Sequence, residues 1–460
     1  MIQMTKQQVI RPRMAHQQST IDFYHDNPCV FNTSDAGTGK TRCFLDYFAE
    51  YLDKHPGSKA LVLGPLSILE AAWAGDLREW QPKMRFAIAY NTNREKAFKA
   101  DVDVVLTNHD AVKQLVKQPG WLEGFTHVCI DEFTAYKNKD SQRSKAMYQI
   151  ASKIPYRIAM SGTPDTNGIL DMWHPALIVD GGERLGKRFY SFRDKVCARR
   201  FNGFANEWIP KESATETVAM ALADINIRFK LEDCVDMPQR TERTLQVELP
   251  KAAMKAYKQL AQDKVLKTES GTVKAQHAGI LVRKLLQVCT GAAYDAEGNI
   301  VAVHNARYDL VLDLVQERTA TVVAFNYTHE RDYLVAQAEQ RNLKYGVIDG
   351  SVPVKMRGEI VAAMQAGELD VVFGQPQSMS HGLTLTRAKT VIWCSPTYNA
   401  EHYVQFNARI YRKGQDSKTE IIRIAAKDTW EPHVYARLGG KVENMEALLD
   451  LLKTEVPINV

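Results

Sequence analysis

Short runs of apolar residues recur along the chain, separated by longer stretches with helical periodicity. In the first half the runs are CVFN, ALVLGP, RFAIAY, DVVLTNH, HVCIDEF and RIAMSGTP, and after residue 320 they are TVVAFNY, YGVIDGS, VVFGQP, TVIWCSP and EIIRIAA. This alternation predicts parallel strands that helices cover on both faces. Residues 165–320, between the two series, are predicted to be helical. The pattern therefore predicts an α/β protein with two parallel-sheet lobes and a helical connection.

Length and composition narrow the classes of protein that this chain can represent. At 460 residues it is too long for one hydrophobic core, so we expect two domains, residues 1–225 and 226–460. A net charge of +5 permits a polyanionic partner without requiring one. The absence of a long apolar run or an apolar signal core predicts a cytoplasmic protein without a membrane span. The seven cysteines are scattered, which argues against a zinc site or a disulfide framework.

The segment NTSDAGTGKT, residues 32–41, predicts a loop that holds phosphate groups. It follows a short apolar run and precedes RCFLDYFAEYL, whose apolar residues have helical spacing. Gly37 and Gly39 let the backbone approach phosphates closely, Lys40 supplies a positive charge and Thr41 a hydroxyl for Mg²⁺. The order of strand, glycine loop and helix predicts that this segment binds a nucleotide.

Two adjacent carboxylates, Asp131 and Glu132, follow an apolar strand in the same predicted lobe. Phosphoryl transfer needs one carboxylate on Mg²⁺ and a second that orients the attacking water. We therefore predict Asp131 as a metal ligand, together with Thr41, and Glu132 as the catalytic base. The segment SGTP, residues 161–164, follows the next apolar run and could sense a γ-phosphate. Solvated acids and a simple turn are the structural alternatives for these two segments.

Near the C-terminus, QFNARIYRKGQ carries Gln405, Arg409 and Arg412 at spacings compatible with a helix. The two arginines are three residues apart, so we expect them to share one helix face. Directed towards a nucleotide, they would stabilise transition-state charge as arginine fingers. A basic, solvated helix face is the alternative, and the local sequence does not choose between the two.

In their order along the chain, these segments resemble the motifs of superfamily 2 helicases, and among them the SWI/SNF-type DNA translocases. In the first lobe the similar segments are HQ (residues 16–17, glutamine motif), DAGTGKT (I), LVLGPLSILEAAWAGDLREW (Ia), DEFTAYKN (II) and SGTPDTNGILDMW (III). In the second lobe they are LVRKLLQVC, VVAFNYTHERD (IV), VIDGSVPVKMR, SHGLTLTRA (V) and QFNARIYRKGQ (VI). Thr134 replaces the usual motif II histidine, and Ser380 and Thr384 replace a glycine and an asparagine of motif V.

The resemblance implies two RecA-like lobes, with the phosphate loop in the first, that use ATP and Mg²⁺. The residues that it implies for catalysis are Lys40, Asp131, Glu132, Arg409 and Arg412. The residues that it implies for nucleotide binding are Gln17, Asp35, Ala36, Gly37, Thr38, Gly39, Lys40, Thr41, Gly382 and Gln405. The residues that it implies for contacts with DNA phosphates are Ser67, Thr107, Asn326 and Thr384. Helix caps or loop hydroxyls are the alternative roles for these last four.

The resemblance implies a partner, duplex or branched DNA, and an activity, ATP-dependent translocation along it in repair, recombination or replication. The basic and aromatic stretch RLGKRFYSFRDKVCARRF, residues 184–201, is a further candidate for DNA contact, with packing between the lobes as its alternative. A strand-separating DNA or RNA helicase and a nucleotide-gated interaction protein are the alternative functions. The implied enzyme is a compact motor, expected to be a monomer, of the kind found in bacteria and bacteriophages.

Overall fold

The computed structural model describes residues 12–164, 168–201, 206–268, 271–274, 278–318, 320–379 and 382–454. The chain divides into two compact units, of which the first comprises Met1–Asp236 and Glu443–Val460 and the second Met237–Val442. This division differs from the expected boundary between residues 225 and 226. The reason is that Asn226–Ile227 pairs with the first strand of the first unit, and Leu448 and Leu452 pack in its core.

The strands of the first unit form a parallel sheet and one hairpin. In chain order they are β1 Cys29–Asn32, β2 Lys59–Gly64, β3 Phe86–Ala89, β4 Val104–Asn108, β5 Phe125–Asp131, β6 Tyr156–Met160, β7 Cys197–Phe201, β8 Asn206–Pro210 and β9 Asn226–Ile227. Strands β7 and β8 form an antiparallel hairpin. The others are ordered β3-β4-β2-β5-β6-β1-β9 in one sheet.

Helices and helical turns connect these strands and cover both faces of the sheet. They are α1 Ala15–Asp26, α2 Lys40–Lys54, α3 Leu66–Ile68, α4 Gly75–Trp80, α5 Arg94–Lys99, α6 Val112–Leu115, α7 Gln142–Ala151, α8 Trp173–Asp180, α9 Phe189–Val196, α10 Ala214–Leu222 and α11 Leu231–Cys234. A π-helical segment, Leu69–Ala74, lies between α3 and α4. Alternate residues of β2 belong to different apolar clusters, Leu61 and Leu63 to one and Ala60 and Val62 to the other. The sheet is therefore buried on both faces, as its continuous apolar runs require.

The second unit has a parallel sheet of its own and two small hairpins. Its strands are β10 Arg240–Val247, β11 Val265–Thr268, β12 Gly271–Lys274, β13 Ala292–Tyr294, β14 Ile300–Ala302, β15 Thr321–Ala324, β16 Tyr345–Ile348, β17 Val371–Gly374, β18 Thr390–Trp393 and β19 Thr419–Ala426. Its helices are α12 Lys251–Asp263, α13 Ala278–Cys289, α14 Ala306–Gln316, α15 Thr328–Gln340, α16 Val354–Ala366, α17 Pro376–Met379, α18 Ala400–Asn407 and α19 Glu431–Leu451, which extends into the C-terminal segment. The large sheet has the order β10-β19-β18-β15-β17-β16.

The predicted fold class is confirmed, because all of the apolar runs form strands of two parallel sheets. The prediction that residues 165–320 are helical was wrong in part, since this region also contains β7 to β14. Strand β10 has the sequence RTERTLQV, with no apolar run and mostly exposed side chains, and it forms by pairing with β19 along eight residues. Among the described residues, no helix is long and apolar enough to cross a membrane.

Candidate functional site

The predicted phosphate loop lies between β1 and α2, at the carboxyl edge of the first sheet. Gly37 and Gly39 have φ angles of +90° and +87°, which side-chain-bearing residues rarely adopt. A Cβ atom on Gly39 would also lie 2.4 Å from the Nε2 atom of Gln17. The loop therefore favours glycine at position 39 because of its backbone conformation, and a larger residue there would also displace the end of the Gln17 side chain.

The Lys40 ammonium group is held inside the loop by the loop's own backbone. Its Nζ atom donates hydrogen bonds to the carbonyl oxygens of Ser34, at 2.6 Å, and Asp35, at 3.0 Å. Burial lowers the pKa of Lys40, and the nearby carboxylates of Glu132 and Asp131 act in the opposite direction. Lys40 is therefore a half-buried cation whose hydrogen-bond partners are neutral carbonyls, which anionic phosphate oxygens could replace.

The two predicted carboxylates lie at the end of β5 and have different partners. Asp131 accepts a hydrogen bond from the indole N–H of Trp73 at 2.8 Å. Burial raises the pKa of Asp131, whereas that hydrogen bond and the charge of Lys40 lower it. Glu132 accepts a hydrogen bond from the Ser161 hydroxyl at 2.8 Å. Its φ angle of +59° is uncommon for a residue with a side chain and turns Glu132 away from the strand direction.

The segment that begins at Ser161 lies directly against the phosphate loop. A Cβ atom on Gly162 would be 3.4 Å from the Ser34 carbonyl oxygen and 3.5 Å from the Ala36 nitrogen. The Ser161 hydroxyl also accepts a hydrogen bond from the backbone N–H of Thr163 at 3.1 Å. The structure thus brings the SGTP segment, the loop and Glu132 together. Residues 165–167 of the motif III segment lie outside the described residues.

The N-terminal residues of α1 contact the same loop. The His16 Nε2 atom lies 2.8 Å from the carbonyl oxygen of Thr38, and the Gln17 side-chain amide donates to that oxygen at 3.4 Å. The Gln17 side chain also accepts a hydrogen bond from the backbone N–H of Met14 at 3.0 Å. The structure therefore places the adenine-reading candidate Gln17 beside the phosphate loop.

Sequence reasoning missed one charged residue of this site, Arg228, which follows β9. Its guanidinium group forms an ion pair with Asp35 at 3.0 Å and donates to the backbone carbonyl of Thr33. Asp35 also accepts a hydrogen bond from the backbone N–H of Leu231 at 3.0 Å. No local motif surrounds Arg228, so only the return of the chain beside β1 reveals its role in fixing the loop.

The second unit brings the motif V and motif VI candidates together. Arg412 donates to the Leu383 carbonyl and to the Thr384 hydroxyl, both at 2.9 Å. Arg409 donates to the same Leu383 carbonyl at 3.2 Å and to the Gln405 carbonyl at 2.7 Å. Gly382, with a φ angle of +71°, immediately precedes this cluster. Ser380 lies outside the described residues.

The expectation that Arg409 and Arg412 share a helix face was wrong, because α18 ends at Asn407. The Arg409 side chain binds the Gln405 carbonyl, and the backbone N–H of Arg409 bonds instead to the Phe406 carbonyl in a tighter turn. Both arginines therefore lie in the turns after the helix, and their common partner in motif V brings them together.

The four candidates for DNA contact differ in burial and in hydrogen-bond partners. Thr107 is fully buried in β4, where its hydroxyl donates to the Ala89 carbonyl at 2.7 Å. This burial removes Thr107 from the candidates, because its side chain cannot reach a phosphate. Ser67 is half-buried in α3. Asn326 donates to the Ser395 hydroxyl at 2.9 Å, and Thr384 binds Arg412, so each has an intramolecular partner.

Comparison with known proteins agrees with this arrangement. An SNF2-related domain matches residues 26–291, and a helicase conserved C-terminal domain matches residues 306–414. The chain is 27% identical over 457 residues to protein p41 of Acyrthosiphon pisum secondary endosymbiont phage 1, covering 91% of this chain and 93% of that protein. It is 22% identical over 450 residues to the Mus musculus chromodomain-helicase-DNA-binding protein 1-like, covering 92% of this chain and 48% of the mouse protein.

The solved structure of the Sulfolobus solfataricus SWI2/SNF2 ATPase core in complex with dsDNA is also similar, at 18% identity and a TM-score of 0.45, over 100% of both chains. The chain spans nearly the whole phage protein but only about half the length of the mouse relative. Since the SNF2-related domain alone matches more than half of the sequence, the chain belongs to the SNF2-related family of superfamily 2 helicase-type ATPases.

Proposed function

We propose that the protein is an ATP-driven motor that translocates along duplex DNA. The observation that carries this proposal is the concentration of positive charge around the β7–β8 hairpin. Residues 187–213 contain seven lysines and arginines and three acidic residues, a net charge of +4, whereas the net charge of the whole chain is +5. A local excess of lysine and arginine is the electrostatic footprint of a nucleic-acid partner.

The hairpin and the helix before it expose aromatic side chains among these charges. Tyr190 and Phe201 are 63% and 65% exposed. The Arg193 guanidinium lies 3.5 Å from the centroid of the Trp208 ring and 5.0 Å from that of Tyr190. Cations beside exposed rings suit the sugar–phosphate backbone and the bases of a DNA strand. The residues of β7 and β8 bury little apolar surface, so packing alone does not account for this hairpin.

The residues of the first unit fit a nucleoside triphosphate and a divalent cation. The positive φ angle of Gly39 favours glycine there, and Lys40 is a half-buried cation that donates hydrogen bonds to two backbone carbonyls. Thr41 and Asp131 would hold Mg²⁺, which when bound neutralises charge on the β- and γ-phosphates. Trp73 orients Asp131, and Ser161 binds one oxygen of Glu132, so that this carboxylate can hold the attacking water and accept its proton.

We propose that Arg409 and Arg412 stabilise the negative charge that develops on the γ-phosphate during hydrolysis. Hydrogen bonds to the Leu383 carbonyl and the Thr384 hydroxyl hold the two guanidinium groups in a defined position. Preorganised cations of this kind stabilise a transition state without reorganisation. Because Thr384 belongs to the motif V segment, a contact of this segment with DNA would be transmitted directly to Arg412.

Translocation requires contacts that bind phosphates and ignore bases, so that each step resembles the last. Ser67 and Thr384 are the proposed hydroxyl contacts, together with the cations of residues 187–213. Asn326 is proposed as the contact in the motif IV segment. We further propose that the motor acts on branched or protein-bound DNA in repair, recombination or replication.

The first experiment is steady-state ATP hydrolysis without nucleic acid and with single-stranded DNA, linear duplex, a four-way junction or duplex RNA. The Lys40→Ala variant serves as the blank. Strong stimulation by duplex, and stronger stimulation by the junction, is expected of a translocase that acts on branched DNA. The absence of any stimulation would contradict the motor proposal and favour a nucleotide-gated interaction protein.

A strand-separating helicase is the second candidate, because the β7–β8 hairpin is exposed on both faces and carries Phe201. An exposed hairpin with an apolar ring could be inserted between the strands of a duplex. Displacement of a labelled strand from a plain duplex, together with stronger stimulation by single strands than by duplex, would favour this function. A translocase instead hydrolyses ATP on the same duplex and releases no strand.

A further inference from the structure

The first unit contains a buried histidine, His109, that none of the steps above uses. It directly follows β4, and its Nδ1 atom lies 3.0 Å from the hydroxyl oxygen of Tyr136, which is fully buried. Burial and the charge of Arg143 lower the pKa of His109 to about 3, and the backbone of Asp131 acts in the opposite direction. His109 is therefore a neutral imidazole that connects the end of β4 to Tyr136.

Tyr136 belongs to the turn that follows the proposed catalytic base. The turn Phe133–Tyr136 begins directly after Glu132, whose carbonyl accepts a hydrogen bond from the backbone N–H of Ala135 at 3.1 Å. Glu132 has a left-handed backbone conformation, which persists only where the surrounding structure holds it. At its far end the turn is held twice, since the Tyr136 hydroxyl contacts the histidine and the Tyr136 carbonyl accepts from the Ser144 hydroxyl at 3.0 Å.

The chain neighbours of His109 and Ser144 form an ion pair at the surface. Asp110 accepts a hydrogen bond from the Arg143 guanidinium at 2.8 Å, and the Lys113 ammonium lies 3.1 Å from the same carboxylate oxygen. The side chains of Asp110 and Lys113 are about half exposed, and that of Arg143 is one-third exposed. Two cations share one carboxylate, so this cluster has a net positive charge and attracts anions.

These contacts form a closed network between the surface and the turn after Glu132. The His109 network consists of Tyr136, His109, Asp110, Arg143 and Ser144, each joined to the next by a side-chain contact or a peptide bond. The surface ion pair is thus connected to the turn by two routes, one through the imidazole and one through the first turn of α7. A displacement of the ion pair therefore changes how the turn is held.

The network lies close to the stretch that we propose for DNA contact. Lys139 precedes Arg143 by four residues, and its Nζ atom lies 5.0 Å and 5.7 Å from the ring centroids of Phe189 and Tyr190. Both rings belong to the basic and aromatic stretch of residues 184–201. A DNA strand along this stretch would bring phosphates near Arg143, and a guanidinium group binds phosphate as it binds carboxylate.

We propose that the His109 network makes ATP hydrolysis depend on DNA, with His109 and Tyr136 as positioning residues. This coupling presupposes the DNA-dependent motor proposed above. A DNA phosphate competes with Asp110 for Arg143, and the displaced ion pair alters the hold on the turn. Glu132 then takes the orientation in which it activates water. Without DNA, the ion pair keeps the turn in its less active position.

The test is steady-state ATP hydrolysis with and without linear duplex DNA, with the ratio of the two rates as the readout. Tyr136→Phe removes the hydroxyl that contacts His109 and should lower this ratio by about tenfold, within the usual range of coupling between two sites. A purely structural defect would lower both rates in equal proportion and leave the ratio unchanged. Tyr148→Phe removes a half-buried hydroxyl from α7 and is the control.

A conservative substitution of the histidine provides a second readout if Tyr136→Phe disturbs the fold. The amide oxygen of asparagine can replace the Nδ1 atom as a partner of the Tyr136 hydroxyl, whereas leucine has a similar size and no polar atom. His109→Asn should therefore keep most of the stimulation by duplex, and His109→Leu should lose it. Equal losses in the two variants would overturn the proposal.

The surface ion pair gives a prediction of the opposite sign. Asp110→Asn removes the charge that holds Arg143 and imitates the DNA-bound state, so the rate without DNA should rise by about fivefold. The double variant D110N/Y136F should return to the rate of Tyr136→Phe, because the transmission is lost. Asp101→Asn weakens another exposed ion pair of this unit and is the control.

Two further results would overturn the proposal. One is an unchanged ratio in Tyr136→Phe, and the other is a rate without DNA that stays as high in D110N/Y136F as in Asp110→Asn. Failure of duplex to stimulate the wild type would instead contradict the motor proposal. The rates of the Asp110 variants without DNA would still test the network, since they need no nucleic acid.

Discussion

The indole N–H of Trp73 donates a hydrogen bond to a carboxylate oxygen of Asp131 across 2.8 Å. Trp73 is fully buried in the π-helical segment after β2, and Asp131 ends β5, the neighbour of β2 in the sheet. A rigid aromatic donor that binds one oxygen of a carboxylate fixes the orientation in which that carboxylate can bind a cation. Trp73 is thus a positioning residue for the proposed Mg²⁺ ligand.

The substitution Trp73→Phe should weaken the use of Mg²⁺ while leaving the fold in place. It keeps an aromatic ring in the core, removes the donor to Asp131 and leaves a small gap where the second ring of the indole packed. A hydrogen bond to a charged group contributes about 1.5–3 kcal/mol, so the Mg²⁺ concentration for half-maximal ATPase activity should rise by about 10- to 100-fold. Trp80→Phe, at a ring that packs under Arg42, is the control. An unchanged Mg²⁺ titration would contradict the positioning role.

Replacement of the Lys40 cation of the phosphate loop should abolish ATP hydrolysis. In Lys40→Ala the loop keeps its glycines, but the phosphates lose the ammonium group that now binds the Ser34 and Asp35 carbonyls. DNA-stimulated ATPase activity should fall to background, with an unchanged circular dichroism spectrum. Lys54→Ala, at the exposed end of the same helix, should retain full activity. Near-normal turnover by Lys40→Ala would refute the assignment.

Arg412 offers a test in the second unit. Arg412→Ala should abolish DNA-stimulated ATPase activity and leave nucleotide binding measurable, because an arginine finger acts mainly on the transition state. Thr384→Ala removes one hydrogen-bond partner of Arg412 together with a proposed hydroxyl contact with DNA, and should reduce kcat by a smaller factor. Arg387→Ala removes an exposed charge from the same unit and is the control. If Arg412→Ala loses nucleotide affinity and activity in equal proportion, its role is ground-state binding.

Glu330 should make the stability of the second unit depend on pH. It is fully buried, and burial raises its pKa to about 7 from the ordinary value of 4.5. Below pH 4.5 the carboxyl is protonated in both states, and its full contribution to stability is present. As the pH rises to 7, only the unfolded chain loses the proton, so stability falls, by an amount on the order of 3 kcal/mol at about 1.4 kcal/mol per pKa unit.

The measurement is the difference in thermal midpoint between the wild type and Glu330→Gln from pH 5 to pH 8. This difference isolates Glu330 from carboxylates such as Asp349, whose pKa is lowered and whose contribution has the opposite sign. Glu330→Gln should gain relative to the wild type as the pH rises. A difference that stays constant across the range would show that Glu330 does not titrate there.

The buried pair Arg307–Glu431 should be strongly coupled. Both side chains are fully buried, and the guanidinium also donates to the Cys289 carbonyl at 2.6 Å. Arg307→Met leaves Glu431 as an unpaired buried charge and should destabilise the second unit by about 3–5 kcal/mol. The double variant R307M/E431L removes both charges and should lose less than the two single losses combined. Additive losses in thermal unfolding would contradict the coupling.

The sequence by itself determined the two sheets and the phosphate loop. Parallel strands buried on both faces need continuous apolar runs, and these runs marked every strand of the two large sheets except β9 and β10. The phosphate loop was readable because its glycines, Lys40 and the following helix are neighbours in the chain. The order of further motifs indicated the family for the same reason, since each motif is local.

The tertiary structure alone decided which distant residues support that site. Arg228 reaches Asp35 only because β9 joins the sheet beside β1, and Trp73 reaches Asp131 only because β2 neighbours β5. Strand β10 has no apolar signal because it lies exposed at a sheet edge and depends on pairing with β19. Thr107 has a hydroxyl at the expected position in the chain, yet the sheet buries it. Strand order sets these relationships, and it depends on packing between segments far apart in sequence, which no local pattern encodes.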